Sequence, residues 1–125
     1  MKSEKGFSLL EVTLAIALIG IIAVAFLIAL AGASRAISIA DERATAESLA
    51  RTQMEYIKTV EYVPDATEYT PAPIPDHPTY SVTIDAKPVH ATDDGIQRIT
   101  ITVYHHDKPI ITSEDYTLQG YKVDR

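Results

Sequence analysis

The stretch Lys5-Gly6-Phe7-Ser8-Leu9-Leu10-Glu11-Val12-Thr13-Leu14-Ala15-Ile16-Ala17-Leu18-Ile19-Gly20 decides how the rest of the chain is read. A single carboxylate, Glu11, stands among residues otherwise fit for a membrane interior. Beyond it, from Val12 to Ser34, there is no charge and no proline. At about 1.5 Å per residue such a helix is roughly 34 Å long, enough to cross a hydrocarbon core of about 30 Å. Lys2 and Lys5 precede the apolar run and Arg35 follows it. This is the short basic flank that stays cytoplasmic, which leaves the remaining, mostly acidic chain outside.

Two readings of this start stand side by side. In the first it is a secretory signal, with small-x-small cleavage patterns at Ala29-Leu30-Ala31 and Ala31-Gly32-Ala33. The apolar run exceeds the usual core of about 7–15 residues, and Glu11 has no role in it. In the second, Gly6-Phe7-Ser8-Leu9-Leu10-Glu11-Val12 resembles the start of the type IV pilin and type II secretion pseudopilin superfamily. Such chains have a short basic leader ending in Gly, then Phe, then Ser/Thr-Leu-x-Glu, then an unbroken apolar helix. The resemblance covers about the first 30 residues. It implies cleavage between Gly6 and Phe7 by a membrane prepilin peptidase, methylation of the new Phe7 amine, and retention of the helix.

Glu11 has two compatible roles. Ser8-x-x-Glu11 is a capping-box pattern in which Ser8 covers a free N–H and Glu11 reaches back to the N-cap amide. A carboxylate in the first turn also suits the helix dipole, by about 0.3–1 kcal/mol. The resemblance adds an assembly role: Glu11 meets the N-terminal ammonium of a neighbouring subunit. The cap does not require Gly6-Phe7, whereas the assembly role does. Many pilins carry a proline inside the membrane half. This chain has none, so Gly20 and Gly32 are the candidates for local unwinding.

The helical pattern continues beyond the apolar run. Ile39, Ala46, Leu49, Ala50, Ile57 and Val60 recur at helical spacing and form one stripe, broken by Gln53. Arg43–Glu47, Glu47–Arg51 and Arg51–Glu55 are opposite-charge pairs on the other face, each contributing a few tenths of a kcal/mol. The spacing predicts one helix from about Ser8 to Glu61. Its second half covers a sheet in preference to forming a coiled-coil seam.

Pro64, Pro71, Pro73, Pro75 and Pro78 make the next segment an extended connector, with no helix or central strand. A polyproline ligand around Pro71-x-Pro73-x-Pro75 is the lesser alternative. Strict alternation then marks strands at Tyr80–Asp85 and Arg98–Tyr104. A weaker third lies over Ile110–Leu118, with Ile111 turned inward. Asp93-Asp94-Gly95 and His106-Asp107-Lys108-Pro109 supply turns. The predicted fold is α+β: a long N-terminal helix packed on a small antiparallel sheet of three to four strands. Its divisions are a leader at 1–6, a transmembrane and assembly helix at 7–34, an amphipathic half at 35–62, a connector at 63–78 and a β head at 79–125.

The chain has 125 residues, no cysteine and a net charge of −6. That excludes a disulfide framework and thiolate metal sites, and it argues against nucleic acid, which needs clustered Lys and Arg. His105-His106-Asp107 alternate across a strand and do not easily share a metal ion. Asp93-Asp94-Gly95 offers too few oxygens for a calcium cage and reads as a turn. No phosphate loop, nucleophile elbow or enclosed carboxylate pair is present, so no enzyme activity, cofactor or metal is expected.

The resemblance implies a structural subunit of a type IV pilus or pseudopilus. Its partners are the prepilin peptidase and methyltransferase, other pilin or pseudopilin subunits, an inner-membrane assembly platform and membrane lipid. The small head points to a minor subunit. It starts as a single pass in the cytoplasmic membrane, N-terminus inside and head outside, and ends in a pilus or pseudopilus. The alternative is a secreted or singly anchored binding domain that does not polymerise.

Overall fold

The computed structural model describes residues 6–106 and 115–125. It contains a helix α1 (Leu9–Thr59) and the strands β1 (Glu68–Tyr69), β2 (Tyr80–Pro88), β3 (Ile96–His105) and β4 (Tyr116–Val123). The fold is α+β, a long N-terminal helix followed by an antiparallel sheet. The chain divides into two units, Met1–Ser38 and Ile39–Arg125.

In the first unit every described side chain is exposed. Leu14, Ile16, Ile19, Ile21, Val24 and Phe26 project round the whole circumference of α1, since successive residues turn by about 100°. A helix apolar all round with no protein covering it suits a hydrocarbon surrounding. By length and composition α1 can cross a membrane.

In the second unit α1 has one buried face: Ala46, Leu49, Ala50, Gln53, Met54 and Ile57. Alternating steps of three and one keep these residues on one side. Ala46 and Ala50, both fully buried, leave room for a close neighbour. That neighbour is the sheet, whose order is β1-β2-β3-β4 with every pair antiparallel. Ile84 and Ala86 of β2 and Ile99, Ile101 and Val103 of β3 join Leu49, Met54 and Ile57 in one core cluster. Burying each of the larger aliphatic side chains contributes about 1.5–3 kcal/mol.

Three local expectations differ from the structure. The stripe is not broken at Gln53, which is 1% exposed. Its amide clamps the proline-rich segment: Nε2 donates to Ala72 O at 3.0 Å and Ala72 N donates to Oε1 at 2.9 Å. A buried amide is tolerated because its bonds are made. For the same reason the segment from Val63 to Pro78 is more than an extended connector. It supplies the short edge strand β1 and the buried ring of Tyr69 to the core.

The last strand is also displaced. It runs over Tyr116–Val123 and not Ile110–Leu118, and Ile110 and Ile111 lie outside the described residues. Its inward positions beyond Leu118 are Gly120 and Lys122, which carry no apolar signal. Gly120 is there because Met54 lies against it: a Cβ would sit 2.7 Å from Met54 Cε. On the helix, Arg51 pairs back to Glu47 at 2.7 Å, while Glu55 takes Lys58 at 2.9 Å.

Candidate processing and assembly site

Gly6, Phe7 and Ser8 precede α1 in irregular backbone. Phe7 is 81% exposed, and nothing lies within 4 Å of where a Cβ on Gly6 would stand. The Gly6–Phe7 peptide bond is therefore open to an approaching enzyme. The helix starts because Ser8 caps it: Ser8 Oγ accepts from Glu11 N at 3.2 Å, and Ser8 O accepts from Val12 N at 3.1 Å.

Only half of the anticipated capping box forms. No hydrogen bond from the Ser8 amide to the Glu11 carboxylate, and no ion pair to Glu11, occurs among the described residues. Glu11 is exposed at the first turn with its carboxylate uncommitted. A lone ionised carboxylate on an apolar helix costs about 2.5–3.5 kcal/mol at the bilayer centre, so it gains from a cationic partner.

The second unit contains a polar network of another kind, centred on Asp93. The Tyr62 hydroxyl and Gly95 N donate to its Oδ1, the latter at 3.1 Å. Asp65 N and Gln97 Nε2 donate to Oδ2, each at 2.7 Å. The Tyr62 hydrogen bond, outweighing the effect of burial and joined by the other donors, lowers the Asp93 carboxyl from 3.8 to about 2. Burial and the same bond raise the Tyr62 hydroxyl well above its ordinary value. Gln97, fully buried, passes the network inward: Oε1 accepts from the Tyr69 hydroxyl at 2.8 Å and Nε2 also donates to Val63 O at 2.8 Å.

Beside it, Lys122 is 3% exposed and closes the end of α1. Its Nζ donates to Ile57 O at 2.6 Å and Val60 O at 2.5 Å and lies 5.7 Å from the centre of the Tyr69 ring. Burial lowers its pKa. The free carbonyls at a helix C-terminus are the negative end of its dipole, so a buried ammonium is held there without a carboxylate.

Residues 1–27 match the family model described as the prokaryotic N-terminal methylation motif. The chain carries that motif. No curated protein and no solved structure matches the chain. The methylation motif marks type IV pilins and pseudopilins and supports a pilin-like processed subunit. It is found in a structural family, not a catalytic one. It implies processing by a prepilin peptidase and assembly with other pilin subunits in general, and with the apolar helix it fits a membrane-anchored pilin.

Gly6, Phe7 and Glu11 all lie within the span of the methylation motif. The other residues singled out in the sequence are elsewhere. Asp93 has both oxygens taken by four donors, and Asp94 Oδ2 lies 2.7 Å from His90 Nδ1. His105 packs edge-on against Tyr80 at 4.6 Å, His106 is exposed, and Asp107 lies outside the described residues. No group of three or more potential metal ligands is assembled among the described residues. Gln97 and Lys122 gave no sequence signal as structural groups, because a polar residue on an alternating strand reads as an outward one; Tyr62, in irregular backbone after α1, gave none because no periodicity marks it.

Proposed function

We propose that the chain is a minor subunit of a type IV pilus or a type II secretion-like pseudopilus. It is made with residues 1–6 as leader, cut between Gly6 and Phe7, and methylated on the Phe7 amine. Residues 7–34 hold it in the cytoplasmic membrane with the N-terminus inside, and residues 35–62, 63–78 and 79–125 make up the stem, connector and β portion outside. Subunits leave the membrane by packing these helices, helped by an inner-membrane assembly platform. Glu11 then meets the N-terminal ammonium of a neighbouring copy, which offsets the cost of a carboxylate in an apolar setting and selects the register between helices. The carrying observation is the methylation motif on a helix that is exposed and apolar all round, with an uncommitted carboxylate in its first turn. The small size of the four-stranded sheet supports a minor position.

The test is the intact mass and N-terminal sequence of the protein from host membranes, with and without Glu11→Ala. The expected chain begins at Phe7 and is heavier by one methyl group. The variant is still cut, and its incorporation into fibres falls by about tenfold or more. A chain beginning at Gly32 or Ser34 would mean a secreted protein with no stem, and full incorporation of a methylated Glu11→Ala chain would remove the assembly role of Glu11.

A further inference from the structure

The two edges of the sheet are built differently. β1 is two residues long, and Glu68 on it is charged and exposed. Pro71 and Pro73 follow, and the N–H of Ala72 between them is taken by Gln53. A short, charged edge flanked by proline does not accept a further strand. The opposite edge is β4, with eight residues, no proline and an unbroken register against β3 from Tyr116 to Val123. The one charge in that strand, Lys122, points inward and is spent on the carbonyls of Ile57 and Val60, so it does not guard the edge.

One bond fixes which peptide groups that edge presents. Asp124 N donates to Gly95 O at 2.9 Å, at the end of the β3–β4 ladder. Antiparallel pairing alternates, so Lys122, Gly120, Leu118 and Tyr116 also turn their peptide groups to β3. Val123, Tyr121, Gln119 and Thr117 turn theirs away. The N–H and C=O of these four make no other backbone bond among the described residues. They form a row about 20 Å long. The same four residues hold their side chains on the exposed face, and none is charged. Tyr121 and Val123 are 59% and 50% exposed, which leaves apolar surface along the row.

We infer that the outer edge of β4 receives an extended segment of a different protein as a fifth strand. The edge recognises backbone, through the N–H and C=O groups of Thr117, Gln119, Tyr121 and Val123. The segment has about seven residues, to match that row. It is uncharged, free of proline and rich in β-branched side chains. Its outward residues stand beside the four exposed side chains of β4, and its inward ones beside Leu118 and Gly120, next to Met54. A second copy of this chain is the poorer occupant. Antiparallel pairing of two β4 edges is two-fold about the sheet normal, which reverses α1 in one copy. Two helices so opposed do not enter one membrane from the same side. That exclusion rests on the membrane-anchored subunit reading, whereas the open edge does not.

The chain has no cysteine, so Gln119→Cys gives a single thiol in the middle of the row. The full-length variant in host membranes is labelled with a photoactivatable maleimide and illuminated. The expected product is a discrete adduct whose crosslinked peptide comes from another protein and contains an uncharged, proline-free stretch. Adding Tyr121→Pro removes one outward N–H and leaves the ladder to β3 in place, so the adduct falls by about tenfold. Tyr121→Ala keeps the N–H and leaves the yield within about twofold. Thr117→Pro repeats the test at the other end of the row should Tyr121→Pro lower the urea midpoint. No adduct, or equal yields from the Pro and Ala variants, overturns the inferred strand. An adduct to a second copy overturns it too, and the N-terminus of that copy separates the two readings. A chain beginning at Phe7 leaves the anchored subunit standing, whereas one beginning at Gly32 or Ser34 removes the anchor as well.

Discussion

At the residue scale, the groups that matter most in the second unit are polar, and each is held by geometry that a single substitution exposes. Asp93 receives four donors on two oxygens, and an amide has only one acceptor oxygen. Asp93→Asn therefore turns an NH2 group towards donors. The pH dependence follows by sign. The folded carboxyl is depressed to about 2, so between that value and 3.8 the unfolded chain binds a proton that the folded one does not. The stabilisation is complete above the ordinary value and is lost as pH falls through the window. Tyr62 is raised, so its share is complete below 10.0 and is lost as pH rises beyond it. Urea midpoints of Asp93→Asn should be lower than the parent at pH 7, and the gap should close towards pH 2. An equal gap at both pH values would mean that the carboxylate is not what the donors hold. Lys122→Met keeps the length but leaves the carbonyls of Ile57 and Val60 without their donor. Charge-assisted bonds contribute about 1.5–3 kcal/mol each, offset by the cost of burying the ammonium, so a net loss of about 1–2 kcal/mol is expected by denaturant titration.

At the element scale, what the sequence revealed and what it hid have the same physical origin. β2 and β3 were legible because Val82, Ile84, Ile99, Ile101 and Val103 alternate with threonines, and β-branched alternation is a strong strand signal. The apolar helix and its Gly6-Phe7-Glu11 start were legible because length, charge and register all point the same way. β4 was not, because its inward set from Leu118 onward is a glycine that admits Met54 and a lysine that caps a helix. Hydrophobic pattern does not register either kind of inward residue. Gln53 was missed for the same reason: its place in the stripe is fixed by two hydrogen bonds to Ala72, not by hydrophobicity. The Gly120 contact can be tested directly. A Cβ there would press on Met54 Cε and Sδ, at 2.7 and 2.9 Å, which are the far end of a flexible side chain. Gly120→Ala should therefore cost little, with Met54 changing rotamer. Gly120→Val adds branched bulk that the space between β4 and α1 does not hold, and it should cost about 1–3 kcal/mol by urea titration. Equal effects of Ala and Val would mean that Met54 does not set the fit.

At the scale of the whole molecule, the sheet has one face that only α1 can cover. Its core side chains, Ile84, Ile99, Ile101 and Val103, are almost completely buried, and they share their cluster with Ala46, Leu49, Ala50, Met54 and Ile57 of the helix. Lys122 fastens β4 to the end of α1 through the Ile57 carbonyl, and Gln53 fastens the proline-rich segment to α1 through Ala72. A sheet of this size has too little apolar surface of its own to offset the entropy of ordering, because small chains bury a smaller fraction of their surface. The apolar residues before Ser38 make no part of this core. Removal of the membrane segment and removal of the whole helix should thus have opposite results. Residues 35–125, produced without the membrane segment, should give dispersed amide resonances and slow hydrogen exchange at Ile99 and Ile101. Residues 63–125 should give collapsed, rapidly exchanging spectra, because the inward face of β3 then meets water. A well-dispersed spectrum from 63–125 would show that the sheet is self-sufficient and that the amphipathic half of α1 is free for partners. Loss of order from 35–125 as well would show that the core depends on the apolar helix before it.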